Sequence, residues 1–258
     1  MPDLISSRSG SGTPLVLVHG LGARRASWNP VLPGLAASRQ VVTVDLPGHG
    51  ASPSLAGDLT FERLTDALQD WLVQVDLNGA DLVGSSLGAR MVLELARRGV
   101  GRHVVALDPG GFWNGTERAV FGKSVKASFA LVKALRPALP ALAGSSVGRT
   151  ALLPQFSPRP WAVPGDVALT DLRSIADTPA LYETLQALLD SGTQQGGPTP
   201  GRVLLGWGRR DRVTLPRQAA RARAAFPQAS MHWFEHCGHF PMWDRPDETV
   251  QVVLAATA

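Results

Sequence analysis

Apolar residues along the chain fall into two patterns: short continuous runs, and longer stretches in which they recur every three or four positions. Leu15-Val16-Leu17-Val18, Val41-Val42-Thr43-Val44, Asp81-Leu82-Val83, Val104-Val105-Ala106-Leu107 and Val203-Leu204-Leu205 are runs of the first kind, and Ser230–Phe234 is a sixth. Aliphatic runs without alternation are what strands covered on both faces look like. Between them, residues 61–77 place Leu64, Leu68, Trp71, Leu72 and Val75 on one helical stripe behind Thr60 as N-cap. Residues 87–98 carry Met91, Val92, Leu95 and Ala96, have arginines in their last turn and stop at Gly99. Residues 217–226 and 247–255 read as two further helices. Strand and helix alternate, which predicts an α/β protein with a mostly parallel central sheet and helices on both faces.

The alternation breaks once. Residues 112–198 contain no convincing strand, several prolines, and helical patches at 124–135 and 179–190. This segment leaves one strand end and returns before the next, so it reads as a helical cap inserted at the C-terminal edge of the sheet. Open α/β sheets bind ligands at that edge, and loops this long in compact domains are usually functional. The expected division is a core of residues 1–111 and 199–258 with a cap, or lid, of residues 112–198.

Composition narrows the function classes. The 258 residues are 44% hydrophobic and 18% charged, a globular balance that excludes a disordered chain. The formal charge is +4 and the isoelectric point about 10.0. Only Lys123, Lys126 and Lys133 are lysines, so the high isoelectric point reflects arginines that stay charged at high pH. The longest basic cluster, Arg209-Arg210-Asp211-Arg212, is interrupted by an acid, which argues against a nucleic-acid partner. A lone cysteine, Cys237, excludes an internal disulfide framework and a multi-thiolate zinc site. Residues 1–12 lack a basic and an apolar signal region, and the apolar stretch 125–142 is broken by charges and prolines. No membrane span is therefore expected, and the cytoplasm is the default compartment.

Gly84-Ser85-Ser86-Leu87-Gly88 fits G-x-S-x-G, and so does Gly144-Ser145-Ser146-Val147-Gly148. Only Ser86 follows an apolar strand and opens an amphipathic helix, as a nucleophile elbow requires; Ser146 reads as a loop residue. The helix starting at Leu87 points free N–H groups at developing negative charge, and the Gly20-Leu21-Gly22 turn offers the Leu21 N–H as a second oxyanion donor beside that of Leu87. His19 reads as a structural hydrogen-bonder of that turn. A serine nucleophile needs a base and an orienting acid. His239, on the glycine-hinged loop Gly238-His239-Phe240-Pro241, is the favoured base, with His236 as its rival. Asp211, after the fifth run, is the favoured acid, with Asp108 as its rival.

These segments, together with Val41-Val42-Thr43-Val44-Asp45-Leu46-Pro47-Gly48-His49-Gly50-Ala51-Ser52, resemble the α/β-hydrolase fold superfamily. The resemblance is to lidded serine hydrolases such as bacterial carboxylesterases and meta-cleavage-product C–C hydrolases. It implies a triad of Ser86, Asp211 and His239 and oxyanion amides at Leu21 and Leu87. It implies neither metal nor organic cofactor, and a small-molecule ester as substrate. Little chain precedes Leu15, so the edge strands that often open this fold are expected to be reduced or missing. Serine rather than aspartate at the elbow argues against dehalogenase and epoxide hydrolase chemistry. Aromatic residues of the cap (Phe112 and Trp113 first, then Phe121, Phe129, Phe156, Trp161 and Tyr182) suggest an apolar pocket. The reading is ester hydrolysis through an acyl-enzyme; the alternatives are C–C hydrolysis or perhydrolysis with the same triad, or a non-catalytic ligand-binding protein.

Overall fold

Six apolar runs become the strands of one sheet, and a polar seventh joins them at an edge. In a computed structural model that describes residues 3–258, the strands are β1 (Ser6–Ser9), β2 (Pro14–Val18), β3 (Gln40–Val44), β4 (Asp81–Ser85), β5 (Val104–Leu107), β6 (Val203–Gly208) and β7 (Ser230–Phe234). Met1 and Pro2, the start of the segment searched for a signal sequence, lie outside the described residues. The order across the sheet is β1-β3-β2-β4-β5-β6-β7, parallel throughout except for β1, which runs antiparallel to β3 with Ser6 opposite Val44. The opening edge strand is thus reduced but present. Its sequence, Ser-Ser-Arg-Ser, has no apolar pattern because its side chains are largely exposed and its backbone alone pairs with β3.

From β2 the chain steps one way to β3, then the other way to β4, so the order reverses between β2 and β4. Such a reversal opens a crevice at the strand C-termini. The loops after β2 and β4, which carry Leu21 and Ser86, meet there.

The helices of the first half are α1 (Leu32–Ala36), α2 (Phe61–Gln74) and α3 (Leu87–Arg97). The Thr60 side chain accepts from the Arg63 N–H and caps α2, and α3 is buried from Leu87 to Ala96. Between β5 and β6 come five helices and no strand: α4 (Gly115–Ala134), α5 (Leu139–Gly144), α6 (Ser146–Leu152), α7 (Gly165–Asp177) and α8 (Leu181–Asp190). The core closes with α9 (Ala219–Ala225), α10 (Pro241–Asp244) and α11 (Pro246–Ala256). The helix expected over 217–226 is a 3-10 turn at Pro216–Gln218 followed by α9. No helix among the described residues is long and apolar enough to cross a membrane.

Candidate active site

The elbow is built from backbone first. Ser86 sits at φ 56° and ψ −111°, between the last residue of β4 and the first of α3. A non-glycine residue at positive φ is strained and persists only where its surroundings hold it. Here the Ser86 N–H donates to the Leu107 carbonyl at 2.9 Å, and its own carbonyl accepts from Arg90 N–H at 3.1 Å. The motif glycines are required by space. A Cβ on Gly84 would collide with the Gly88 backbone, and one on Gly88 with the carbonyls of Val18 and His19. Ser146, by contrast, is an exposed residue in the first turn of α6, a helix capped by Ser145, with no strand before it. It is therefore helical rather than in a loop.

Leu87 is the first residue of α3, so its N–H has no intrahelical acceptor. The turn after β2 closes through Ala23 N–H to Gly20 carbonyl at 3.2 Å, a bond that leaves the Leu21 N–H unused. His19 orders this turn: its Nδ1–H donates to the Gly20 carbonyl at 2.8 Å and its Nε2 accepts from Leu46 N–H at 3.0 Å. Burial, with help from the neighbouring His49, pushes its pKa down to about 3, so it is neutral and structural.

Opposite the elbow, His239 Nδ1 donates to Asp211 Oδ2 at 2.8 Å, with both side chains buried. The Asp211 carboxylate also receives the Thr214 hydroxyl at 2.6 Å and the N–H groups of Val213 and Thr214 at 2.7 and 3.2 Å. Neither backbone donor nor the hydroxyl is a motif residue, so sequence patterns did not point to them. The histidine loop is clamped in turn: His239 N–H donates to the Phe156 carbonyl at 2.8 Å and Gly238 N–H to Asp244 Oδ2 at 2.8 Å. His236 sits at φ 55° with an exposed side chain, so it faces solvent rather than Ser86. Burial pushes the Cys237 thiol up, leaving it no role as a nucleophile.

Ser86 and His239 line one narrow cavity of about 30 Å³ without a direct hydrogen bond between them. Its walls are Gly20 and Leu21 of the turn after β2, Phe121, Val125 and Phe129 of α4, Phe156, Ile175 of α7, Val213 and Phe240. A second apolar cavity shares Gly20, Leu21, Phe156, Ile175 and Phe240 with it and continues past Trp28, Leu172 and Trp243 to Asp171. Phe112 and Trp113, expected at the pocket, line neither cavity. The chain turns away at Gly111 (φ 94°), Phe112 packs edge-on against Phe226, and Trp113 lies against Phe121 with its Nε1–H donating to Gly192. Of the other cap aromatics, Phe121, Phe129 and Phe156 face Ser86, whereas Trp161 and Tyr182 are exposed. A larger groove, about 910 Å³ between α4 and α8, contains no residue of the Ser86 site.

Asp108, Asp211 and His239 have ligand atoms within 4.8 Å of one another, a spacing that could hold a metal ion. The His239–Asp211 contact is a hydrogen bond, however, and it consumes the histidine nitrogen that a metal would need.

Comparison with known proteins agrees with this architecture. The sequence matches the model of the alpha/beta hydrolase family over residues 15–252. It is 28% identical, across 95% of this chain and 80% of the relative, to an sn-1-specific diacylglycerol lipase of Mus musculus. Among solved structures it resembles a thermophilic esterase from Thermogutta terrifontis, with TM-score 0.77 and 19% identity over 98% of this chain and 92% of that one. It also resembles the meta-cleavage product hydrolase of Pseudomonas fluorescens IP01, with TM-score 0.75 and 18% identity over 98% and 93%. At these identities the structural likeness speaks for the fold alone.

Proposed function

Because the chain belongs to the alpha/beta hydrolase family, we propose that it is a serine hydrolase cleaving carboxylic esters of small, apolar substrates through an acyl-enzyme on Ser86. The observation that carries this reading is a serine held at positive φ on a strand–helix elbow, sharing a cavity with a buried His239–Asp211 pair. Asp211 keeps the proton on Nδ1 of His239, which leaves Nε2 free to act as base. His239 takes the Ser86 hydroxyl proton as Oγ attacks the ester carbonyl. The Leu21 and Leu87 N–H groups receive the oxyanion. His239 then protonates the leaving alcohol, and a water molecule, deprotonated by the same nitrogen, releases the acid.

The cavity walls favour an uncharged ester over a dienoic acid. No arginine or lysine lines either of these two cavities, and their one charged residue is the acid Asp171. A substrate carboxylate would enter apolar surroundings without a partner, which is costly. The cap, residues 112–198, closes over the site and supplies Phe121, Val125, Phe129, Phe156 and Ile175 to the wall of the Ser86 cavity.

Assay on p-nitrophenyl esters of graded chain length, beside a ring-fission dienoate and a perhydrolysis assay, tests the reading. We expect ester turnover that falls by about 10³-fold or more in Ser86→Ala. Turnover of the dienoate but of no ester would replace the reading with C–C hydrolysis. Undiminished turnover by Ser86→Ala would remove Ser86 as the nucleophile, and ligand binding without turnover would favour the binding-protein alternative.

A further inference from the structure

A second carboxyl group stands behind the His239–Asp211 pair and has no role in the steps above. Asp108 ends β5 at φ 48°, fully buried, a backbone conformation that only tight surroundings maintain in a non-glycine residue. Its N–H donates to the Gly206 carbonyl at 2.8 Å, and its carbonyl lies 3.1 Å from the Thr214 hydroxyl, whose proton goes to Asp211 Oδ2 at 2.6 Å. Its Oδ1 accepts the Gly208 N–H at 2.8 Å, whereas Oδ2 is buried without any partner. A buried carboxyl oxygen with no donor facing it is better satisfied carrying a proton of its own. The groups facing Asp108 are Asp211 after β6, Cys237 and His239 of the loop after β7, and Asp244 at the end of α10; it forms no ion pair among the described residues.

Two carboxylates cannot both stay ionised at such a distance in a dry interior with no cation between them. The Asp108 and Asp211 carboxyls lie close enough for a proton between them to make a hydrogen bond. Asp211 is the member that already receives several donors, one imidazole N–H, one hydroxyl and two amides. It therefore holds the charge, and Asp108 holds the proton.

We propose that Asp108 is a positioning residue for the triad, donating a proton from Oδ2 to the Asp211 carboxylate so that the two acids together present a single negative charge to His239. Burial, reinforced by the charge of Asp211, holds the Asp108 carboxyl well above the ordinary carboxylate range, in the same direction. The donor fixes the rotation of the Asp211 carboxylate, and through it the direction in which Nδ1–H of His239 points. The inference rests on the serine-hydrolase reading, and the experiment separates the two.

Ester turnover per active site, counted by titration with an organophosphate, is measured against pH for wild type, Asp108→Asn and Asp108→Ala. Counting active sites removes any fraction that fails to fold. Asn keeps a donor, tolerates positive φ and carries no charge. Asp108→Asn should retain at least about a third of kcat, with the acid limb of kcat/KM where wild type has it. Asp108→Ala should lose about tenfold in kcat with KM unchanged, the signature of a misdirected base. If Asp108 is instead ionised, the Asn variant removes a charge near His239 and moves the acid limb down by about one pH unit, which overturns the proposal. Full kcat in the Ala variant overturns it as well. Absence of ester turnover and of labelling in wild type would reject the serine-hydrolase reading itself, a result distinct from either of these.

Discussion

Ser86 and Ser146 carry the same five-residue motif, and the difference between them shows in what a methyl group meets at the first glycine of each. At Gly84 an added Cβ runs into the backbone of α3; at Gly144 it meets nothing within 4 Å. Gly84→Ala is therefore expected to lower stability by about 1–3 kcal/mol through overpacking. Gly144→Ala leaves the thermal midpoint unchanged or slightly raised. Thermal unfolding of the two variants checks this, and equal effects would contradict the assignment of the elbow. The candidate residues Ser86, Asp211 and His239 were legible because each lies at a strand end marked by glycine, where sequence and geometry speak together. Thr214, Phe156 and Asp108 were not assigned their roles from sequence for a common reason. What they do depends on hydrogen bonds that no motif encodes: Thr214 to Asp211 within one local turn, and, across the fold, His239 N–H to the Phe156 carbonyl and Gly208 N–H to Asp108.

At the scale of elements, the inner strands could be read because each is apolar on both faces, and β1 could not because its side chains face water. Helix α7 escaped for the opposite reason. Its buried side includes Asp171 and Ser174 among Ala168, Leu172 and Ala176, so polar residues interrupt the stripe that would have marked it. Polar burial also holds the far end of the sheet. Asp81, at the start of β4, accepts from Arg102 at 3.0 and 2.8 Å and from His103 N–H at 3.1 Å, and is paired with Arg39. Arg39 also donates to Thr257 Oγ1 at 2.6 Å, which ties the chain end to the sheet. Burial alone would push the Asp81 carboxyl up, but the hydrogen bonds and charges of Arg102 and Arg39 outweigh it and hold the group below its usual range. A lowered folded-state pKa contributes stability above the unfolded value of about 3.9, and this is lost as pH falls toward the folded one. Asp81→Asn should cost about 3–5 kcal/mol at pH 7, toward the low end because Arg102 is half-exposed. Urea unfolding at pH 7 and pH 3 should show the gap to wild type narrowing at pH 3; a constant gap would contradict the pairing.

At the scale of the molecule, residues 112–198 are joined to the rest of the chain through the buried carboxyls of Glu117 and Asp171 as well as by apolar packing. Glu117 at the start of α4 pairs with Arg217 at 2.6 Å and with Arg221. Asp171 of α7 accepts from Ser27 and, at 3.0 Å, from Trp243 Nε1–H, bridging cap to core beside the second cavity. Burial pushes the Asp171 carboxyl up to about 6 despite these donors. A carboxyl whose folded-state pKa is raised favours the fold while protonated, so its contribution is present below about pH 4 and lost as pH rises through 6. Asp171→Asn, which cannot ionise, should therefore gain stability relative to wild type between pH 4 and pH 7. Thermal midpoints at the two pH values decide this, and a difference that does not move with pH would show that Asp171 is not a buried titrating group. The basic isoelectric point has its source in arginines such as these, many of them paired with acids.

The central claim is that Ser86 forms a covalent acyl-enzyme with the help of His239, and covalent labelling tests it most directly. Wild-type protein treated with a fluorophosphonate and mapped by peptide mass spectrometry should carry one adduct, on Ser86. The adduct should be absent from Ser86→Ala and form far more slowly in His239→Ala. An adduct on Ser146, or no adduct on a folded wild-type protein, would contradict the account.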